Sequence, residues 1–143
     1  MLRSWLILSK MGFRFYLSQR HGYWVIKGEV MSSVFDQIIS KEIPADIIYE
    51  TEICLAFRDI NPKAPEHILI IPKKPITKLS EAKPEDIQLL GQLMLAVGEV
   101  ARILHVDEEG FRVIINNGRN AGQTVFHLHL HLLAGRRFDW PGL

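Results

Sequence analysis

The sequence predicts an α+β domain: about five antiparallel strands in one sheet, one long helix packed on it, and a short N-terminal helix. Three observations carry this. Short apolar runs recur between brief, turn-rich connectors, which join antiparallel rather than parallel neighbours. One stretch, residues 84–104, has the apolar spacing of a long amphipathic helix. Near the C-terminus, His127-Leu128-His129-Leu130-His131-Leu132-Leu133 alternates with the period of two that belongs to a strand.

In chain order, residues 1–30 read as an N-terminal extension, poorly ordered, and residues 31–143 as the working domain. The extension holds five Lys/Arg against one acid, whereas the remainder is mildly acidic. Arg3, Ile7, Lys10 and Arg14 could share a helical face, a faint likeness to an organelle transit peptide; otherwise a cytoplasmic location is expected. Val34 to Ser40 suggests a short helix with Ser33 as N-cap, stopped at Pro44. Asp46–Tyr49 and Ile53–Arg58 read as a hairpin turning across Glu50-Thr51-Glu52. Asp59 to Pro65 is a turn-rich loop, and His67–Ile71 is a third strand ended by Pro72.

Pro84 suits the first helical position, and Glu85 and Asp86 suit the positive end of the helix dipole. Ile87, Leu90, Met94, Val97, Ala101 and Leu104 are the face expected to pack on the sheet. Phe111–Ile115 is a fourth strand. The Gly- and Asn-rich loop 116–124 (NNGRNAGQT) follows and runs into the His/Leu strand.

At 143 residues, with 48% apolar and 23% charged residues, the chain suits one globular domain. A net charge of +1 gives no reason to expect nucleic acid or an acidic membrane as partner. No apolar run approaches the ~20 residues that span a bilayer. The lone cysteine, Cys54, excludes an intrachain disulfide and reads as a buried strand residue.

Half of the six histidines would project from one face of the last strand, with leucines on the other. Zinc is one occupant for that face, but imidazoles ~6.6–6.8 Å apart along a strand converge poorly and no fourth ligand is evident. No metal and no cofactor are therefore expected. Phosphoryl chemistry fits better. An imidazole can attack phosphorus once an acceptor holds its other nitrogen as N–H. Neighbouring imidazoles and a Gly-rich amide loop can then stabilise the oxygens.

At this point the sequence resembles the histidine triad (HIT) superfamily, defined by His-φ-His-φ-His-φ-φ with φ apolar. The likeness covers roughly residues 32–142. It includes Phe35 with Ile38-Ile39, Ile43-Pro44-Ala45, Cys54-Leu55-Ala56-Phe57, Asp59-Ile60, His67, Ile71-Pro72-Lys73-Lys74, Gly122-Gln123 and Trp140-Pro141. This set is similar to the Hint branch, the histidine triad nucleotide-binding proteins. The resemblance implies a HIT-like fold, a homodimer, and hydrolysis of purine nucleoside 5′-phosphoramidates through a nucleotidyl-histidine, with a nucleotide such as AMP or GMP as product. The alternatives are a dinucleoside polyphosphate hydrolase and a non-catalytic nucleotide-binding regulator.

By position, His129 would be the nucleophile, His127 would hold its tautomer through the backbone carbonyl, and His131 would donate to a phosphate oxygen. Gly122, Gln123 and Thr124 would cradle the phosphate, Thr124 also lying near the leaving nitrogen. Asn116 would reach the phosphate and Asp59 the ribose hydroxyls. Phe57 and Ile60, with Ile38 and Ile43, would wall the base. His67 is expected either to steady His127 or to be structural. Thr124 stands where many relatives carry Ser.

Overall fold

The computed structural model describes residues 4–8, 14–20, 23–26 and 29–30 as backbone strands, and residues 33–139 with their side chains. The first group forms a meander of its own: β1 (Ser4–Leu8), β2 (Arg14–Arg20), β3 (Tyr23–Ile26) and β4 (Glu29–Val30), each antiparallel to the next. Residues 4–8 and 14–20 are thus strand, not the helix considered for the segment from Arg3 to Arg14. Among the described residues, none of these strands pairs with the main sheet.

The main domain opens with α1 (Val34–Ile39). Its entry is a reciprocal cap: Ser33 Oγ accepts from the Asp36 amide, and the Asp36 carboxylate accepts from the Ser33 amide. The strands β5 (Ile47–Glu50), β6 (Cys54–Arg58) and β7 (Glu66–Pro72) follow, then α2 (Ile87–Ile103), β8 (Phe111–Ile114) and β9 (Leu130–Ala134). They make one antiparallel sheet in the order β5-β6-β7-β9-β8, so the histidine-bearing strand is interior and β8 is an edge.

Strand alternation gives the sheet two different faces. On one, Ala56, Ile68, Ile70, Leu130 and Leu132 pack with Leu93, Ala96, Val97 and Val100 of α2. On the other, Leu55, Phe57, Leu69 and Ile71 pack with Phe35 and Ile38 of α1. Cys54 is buried in the α2-side cluster.

The α2 face matches the expected one in part. Val97 and Ala101 are buried, and Leu90 and Leu104 pack against the same core, joined by Leu93, Ala96 and Val100, whereas Ile87 is 69% exposed and Met94 55%. Leu95, at 72%, lies with them. The helix carries two apolar stripes, and one sheet can cover only one of them. His105 sits just beyond the helix in the left-handed region at φ 56°, where the chain turns out of α2. No helix among the described residues is long and apolar enough to cross a membrane.

Candidate functional site

The site lies on the α1 face of the sheet. The triad is not three equivalent strand residues. β9 begins only at Leu130, so His127 and His129 precede it. Alternation still holds: Leu128, Leu130 and Leu132 enter the α2-side core, and the imidazoles turn the other way. Each imidazole meets different partners.

His127 is fully buried, and its Nε2 donates to the Pro72 carbonyl oxygen at 2.7 Å, tying the approach to β9 onto the end of β7. Its Nδ1 lies 3.5 Å from Asp36 Oδ1, so the carboxylate that caps α1 also faces the triad. His129 Nδ1 donates to the His127 carbonyl oxygen at 2.7 Å. The Phe35 ring meets the His129 ring edge-on, with centroids 5.2 Å apart. His131 Nδ1 is 2.9 Å from His67 Nε2, and His131 Nε2 is buried with no hydrogen-bond partner. His67 therefore engages His131, not His127. It stands opposite Leu133 in the β7–β9 register and reaches His131 diagonally.

Burial pushes the His129 imidazole below the usual histidine range, although the bond to the His127 carbonyl opposes this. His131 is pushed down to about 4, first by burial and then by the neighbouring His129 and His67 rings. Burial also lowers His67, with Asp59 working against the shift. All three rings are therefore neutral at pH 7.

Two loops complete the site. In the β6–β7 loop, the Asp59 carboxylate accepts from the Asn61 amide at 2.8 Å, an Asx turn. The same loop brings the Lys63 amide to His67 Nδ1 at 3.1 Å. In loop 116–124, Gln123 is a buried staple. Its side chain accepts from the Gly118 amide and donates to the carbonyl oxygens of Thr77 and Val125. Gly122, at φ 83°, makes the left-handed turn. The amides of Gly122 and Gln123 are spent on Arg119 and Gly118 carbonyls, whereas the Thr124 amide makes no such bond among the described residues.

These elements surround a cavity of about 850 Å³. Of the residues anticipated for the site, Phe57, Asp59, Ile60 and Asn116 line it, as do Thr124, His129 and His131. Ile38 and Ile43 join Phe35 on its apolar wall. Ile60 stands at the rim, 92% exposed. His127, Gly122 and Gln123 are outside the lining and act on it from behind.

Lys63, Arg112, Arg136 and Phe138 also line the cavity, and none of them stands out in the sequence. Arg112 is accessible by alternation: in Phe111-Arg112-Val113-Ile114 it shares a face with Ile114, whose register partner is His131. It donates to the carbonyl oxygens of Phe138 and Asp139, and Arg136 stacks on the Phe138 ring at 4.3 Å. Trp140-Pro141, part of the family resemblance, lies outside the described residues. Asp59, His67 and His131 are the nearest approach to a metal-ligand set among the described residues, each offering one atom within 4.8 Å of the others.

Comparison with known proteins agrees with this geometry. A family model described as "HIT domain" matches residues 40–138. An uncharacterized HIT-like protein of Synechocystis sp. is 58% identical over 109 residues, covering 76% of this chain and 95% of that protein. A 14 kDa zinc-binding protein of Zea mays is 50% identical over 111 residues, covering 76% of this chain and 86% of its own. The crystal structure of a HIT family hydrolase from Legionella pneumophila superposes with a TM-score of 0.76 at 40% identity, over 78% of this chain and 99% of that one. With the alternating histidines leading into the interior strand of a five-stranded antiparallel sheet, and a matching family model across most of the domain, the chain belongs to the HIT domain family.

Proposed function

We propose that the chain hydrolyses purine nucleoside 5′-phosphoramidates, with His129 as nucleophile. The observation that carries this reading is the 2.7 Å bond from His129 Nδ1 to the His127 carbonyl. It holds the ring proton on Nδ1 and leaves the Nε2 lone pair for the cavity. The lowered His129 pKa keeps that lone pair free of a proton at neutral pH.

In the first step Nε2 forms a bond to phosphorus as the P–N bond breaks, and the amine departs with a proton passed by water or the Thr124 hydroxyl. In the second, water forms the new P–O bond as the N–P bond breaks, returning the electron pair to Nε2. The water's oxygen ends on phosphorus and its two protons on the amine. His131 Nε2–H and the Thr124 amide stabilise the non-bridging oxygens, where charge stabilisation counts most. Asp59 accepts from the ribose hydroxyls, Asn116 contacts the phosphate, and Phe57, Ile60, Ile38 and Ile43 flank the purine. Gln123 and Gly122 act by shaping the phosphate loop.

The assembly that fits this reading is a homodimer in the cytoplasm. Support comes from the exposed stripe Ile87, Met94 and Leu95 of α2 and from the open edge of β8, where Phe111 is also exposed. A sheet edge left unpaired among the described residues favours a second copy that continues the sheet, and an exposed apolar helix stripe favours a protein partner. Sedimentation would report a dimer; a monomer at micromolar concentration contradicts it.

A substrate panel tests the activity. Adenosine and guanosine 5′-phosphoramidates should turn over faster than diadenosine polyphosphates at equal enzyme. The reverse order would make the chain a dinucleoside polyphosphate hydrolase, and no turnover of either would leave a nucleotide-binding regulator.

A further inference from the structure

The hydrogen bonds around His131 have a direction that can be followed from one end. The chain starts at the Lys63 amide, which can only donate, and which meets His67 Nδ1 at 3.1 Å. His67 Nδ1 must therefore present its lone pair, and the proton of the neutral ring sits on Nε2. Asp59 Oδ2, 3.5 Å from His67 Nε2, favours the same placement. That Nε2 is 2.9 Å from His131 Nδ1. His67 donates, His131 Nδ1 accepts, and the proton of neutral His131 is left on its Nε2. This is one of two buried side-chain atoms without a hydrogen-bond partner among the described residues, the other being His127 Nδ1, and it is the one on a ring that lines the cavity.

We propose that His67 is a positioning residue that imposes on His131 the tautomer presenting Nε2–H to the substrate. The proposal rests on the phosphoramidase reading only for the identity of the acceptor, a phosphate oxygen; the direction of the chain does not depend on it. The opposite direction would put the His67 proton on Nδ1, N–H against N–H with Lys63. A buried donor pair facing each other costs at least one hydrogen bond and leaves a polar group unsatisfied.

The same polarity decides how Asp59, His67 and His131 behave toward metals. A cation among them would need the His67 Nε2 lone pair, which exists only if the proton moves to Nδ1 and opposes the Lys63 amide. Lys63, His67 and His131 form a hydrogen-bond chain with Asp59 alongside, and not a ligand set, although the atoms of Asp59, His67 and His131 lie close enough for one. This distinguishes them from metal-binding histidines, whose second nitrogen faces an acceptor.

The order of loop and strand makes the device. Asp59 and Lys63 flank a turn rich in proline and Asx geometry, and the first residues of β7 follow at once. One hairpin connection thus brings both the amide and the carboxylate to the same imidazole.

NMR of the full chain with isotope-labelled histidine tests this without substrate. The expected spectrum has His67 Nε2 as the protonated, pyrrole-type nitrogen and His131 Nδ1 as the pyridine-type one, with scalar coupling between them across the hydrogen bond. Pyridine-type His67 Nε2, or pyrrole-type His131 Nδ1, overturns the proposal. Equimolar zinc chloride should leave both rings' signals in place; loss of the His67 Nε2 proton on addition would overturn it. In turnover, His67→Leu should lower kcat about 10–100-fold with KM little changed. His67→Gln, which can still donate to His131 Nδ1, should recover most of that loss. Equal loss in both variants at unchanged melting temperature contradicts a donor role. If the wild type shows the expected tautomers but turns over no phosphoramidate, the functional reading fails and the chain of bonds stands.

Discussion

The two faces of one sheet are built from the same strands by the same alternation, yet they carry opposite duties. On the α2 face, Ile68, Ile70, Leu130 and Leu132 are fully or almost fully buried against Leu93 and Val100. No histidine lies there, and the face contributes stability by apolar burial. On the α1 face the strands and the approach to β9 present His67, His129, His131 and Arg112 around a cavity. There α1 offers mainly Phe35 and Ile38, a thinner cover. The difference teaches that the leucines of the triad motif are as informative as its histidines. They fasten β9 to a rigid layer, so that the imidazoles on its other side can be held by single hydrogen bonds without drifting.

That contrast can be broken by paired substitutions. His129→Ala should lower phosphoramidate turnover at least about 10³-fold, as expected when a nucleophile is removed. AMP binding by calorimetry and the melting temperature should stay near wild type. Leu132→Ala, three residues later on the opposite face, should do the reverse. It should destabilise the fold by about 2–5 kcal/mol in denaturant titration while kcat per folded molecule changes only a few-fold. Similar activity losses in both would mean that the faces are not separable.

Gly135→Ala sharpens the comparison at the end of β9. Gly135 has φ 87°, and an added Cβ would come within 2.7 Å of Pro65 Cβ. The β6–β7 loop that holds Asp59 and Lys63 must shift to admit it. We expect about 1–3 kcal/mol of destabilisation together with a raised KM. A loss of stability with KM unchanged would show that the loop does not feel this contact.

A smaller, graded effect comes from pH, and only the histidine face supplies it. His131 is held at about 4 and His129 and His67 below the ordinary 6.5, so between those values the unfolded chain binds more protons than the folded one. Their neutral burial is without cost above pH 6.5, and stability falls as pH drops from 6.5 toward 4. Turnover should hold until pH is below 6.5, because His129 must stay unprotonated. A plateau of stability through that window would mean these rings are not buried as described.

Much of the five-stranded sheet is legible in the residue pattern, because period-two apolar runs, the 84–104 helix and the short connectors agree with one another. The identity of the triad is legible too. Which imidazole meets which partner is not legible in the spacing, and only the family resemblance anticipates the His127 carbonyl beside His129. Three histidines at equal spacing look alike until Pro72, the His127 carbonyl and His67 each claim a different one. Those partners are far away in sequence or belong to the backbone, and neither leaves a mark in residue spacing. The buried face of α2 is legible at Val97 and Ala101 but not at Ile87 and Met94, which belong to a second apolar stripe that the sheet leaves exposed. Gln123 has the look of a phosphate contact, and its side chain pins its own loop, a duty that residue type alone does not reveal because a side-chain amide serves either purpose.

The most direct test is the stereochemical course at phosphorus. With a nucleoside phosphoramidate made chiral at phosphorus by sulfur substitution, and isotopic water as the second reactant, attack by His129 followed by water gives two inversions. Overall retention of configuration is the predicted result; inversion would mean that water attacks directly and that His129 is not the nucleophile.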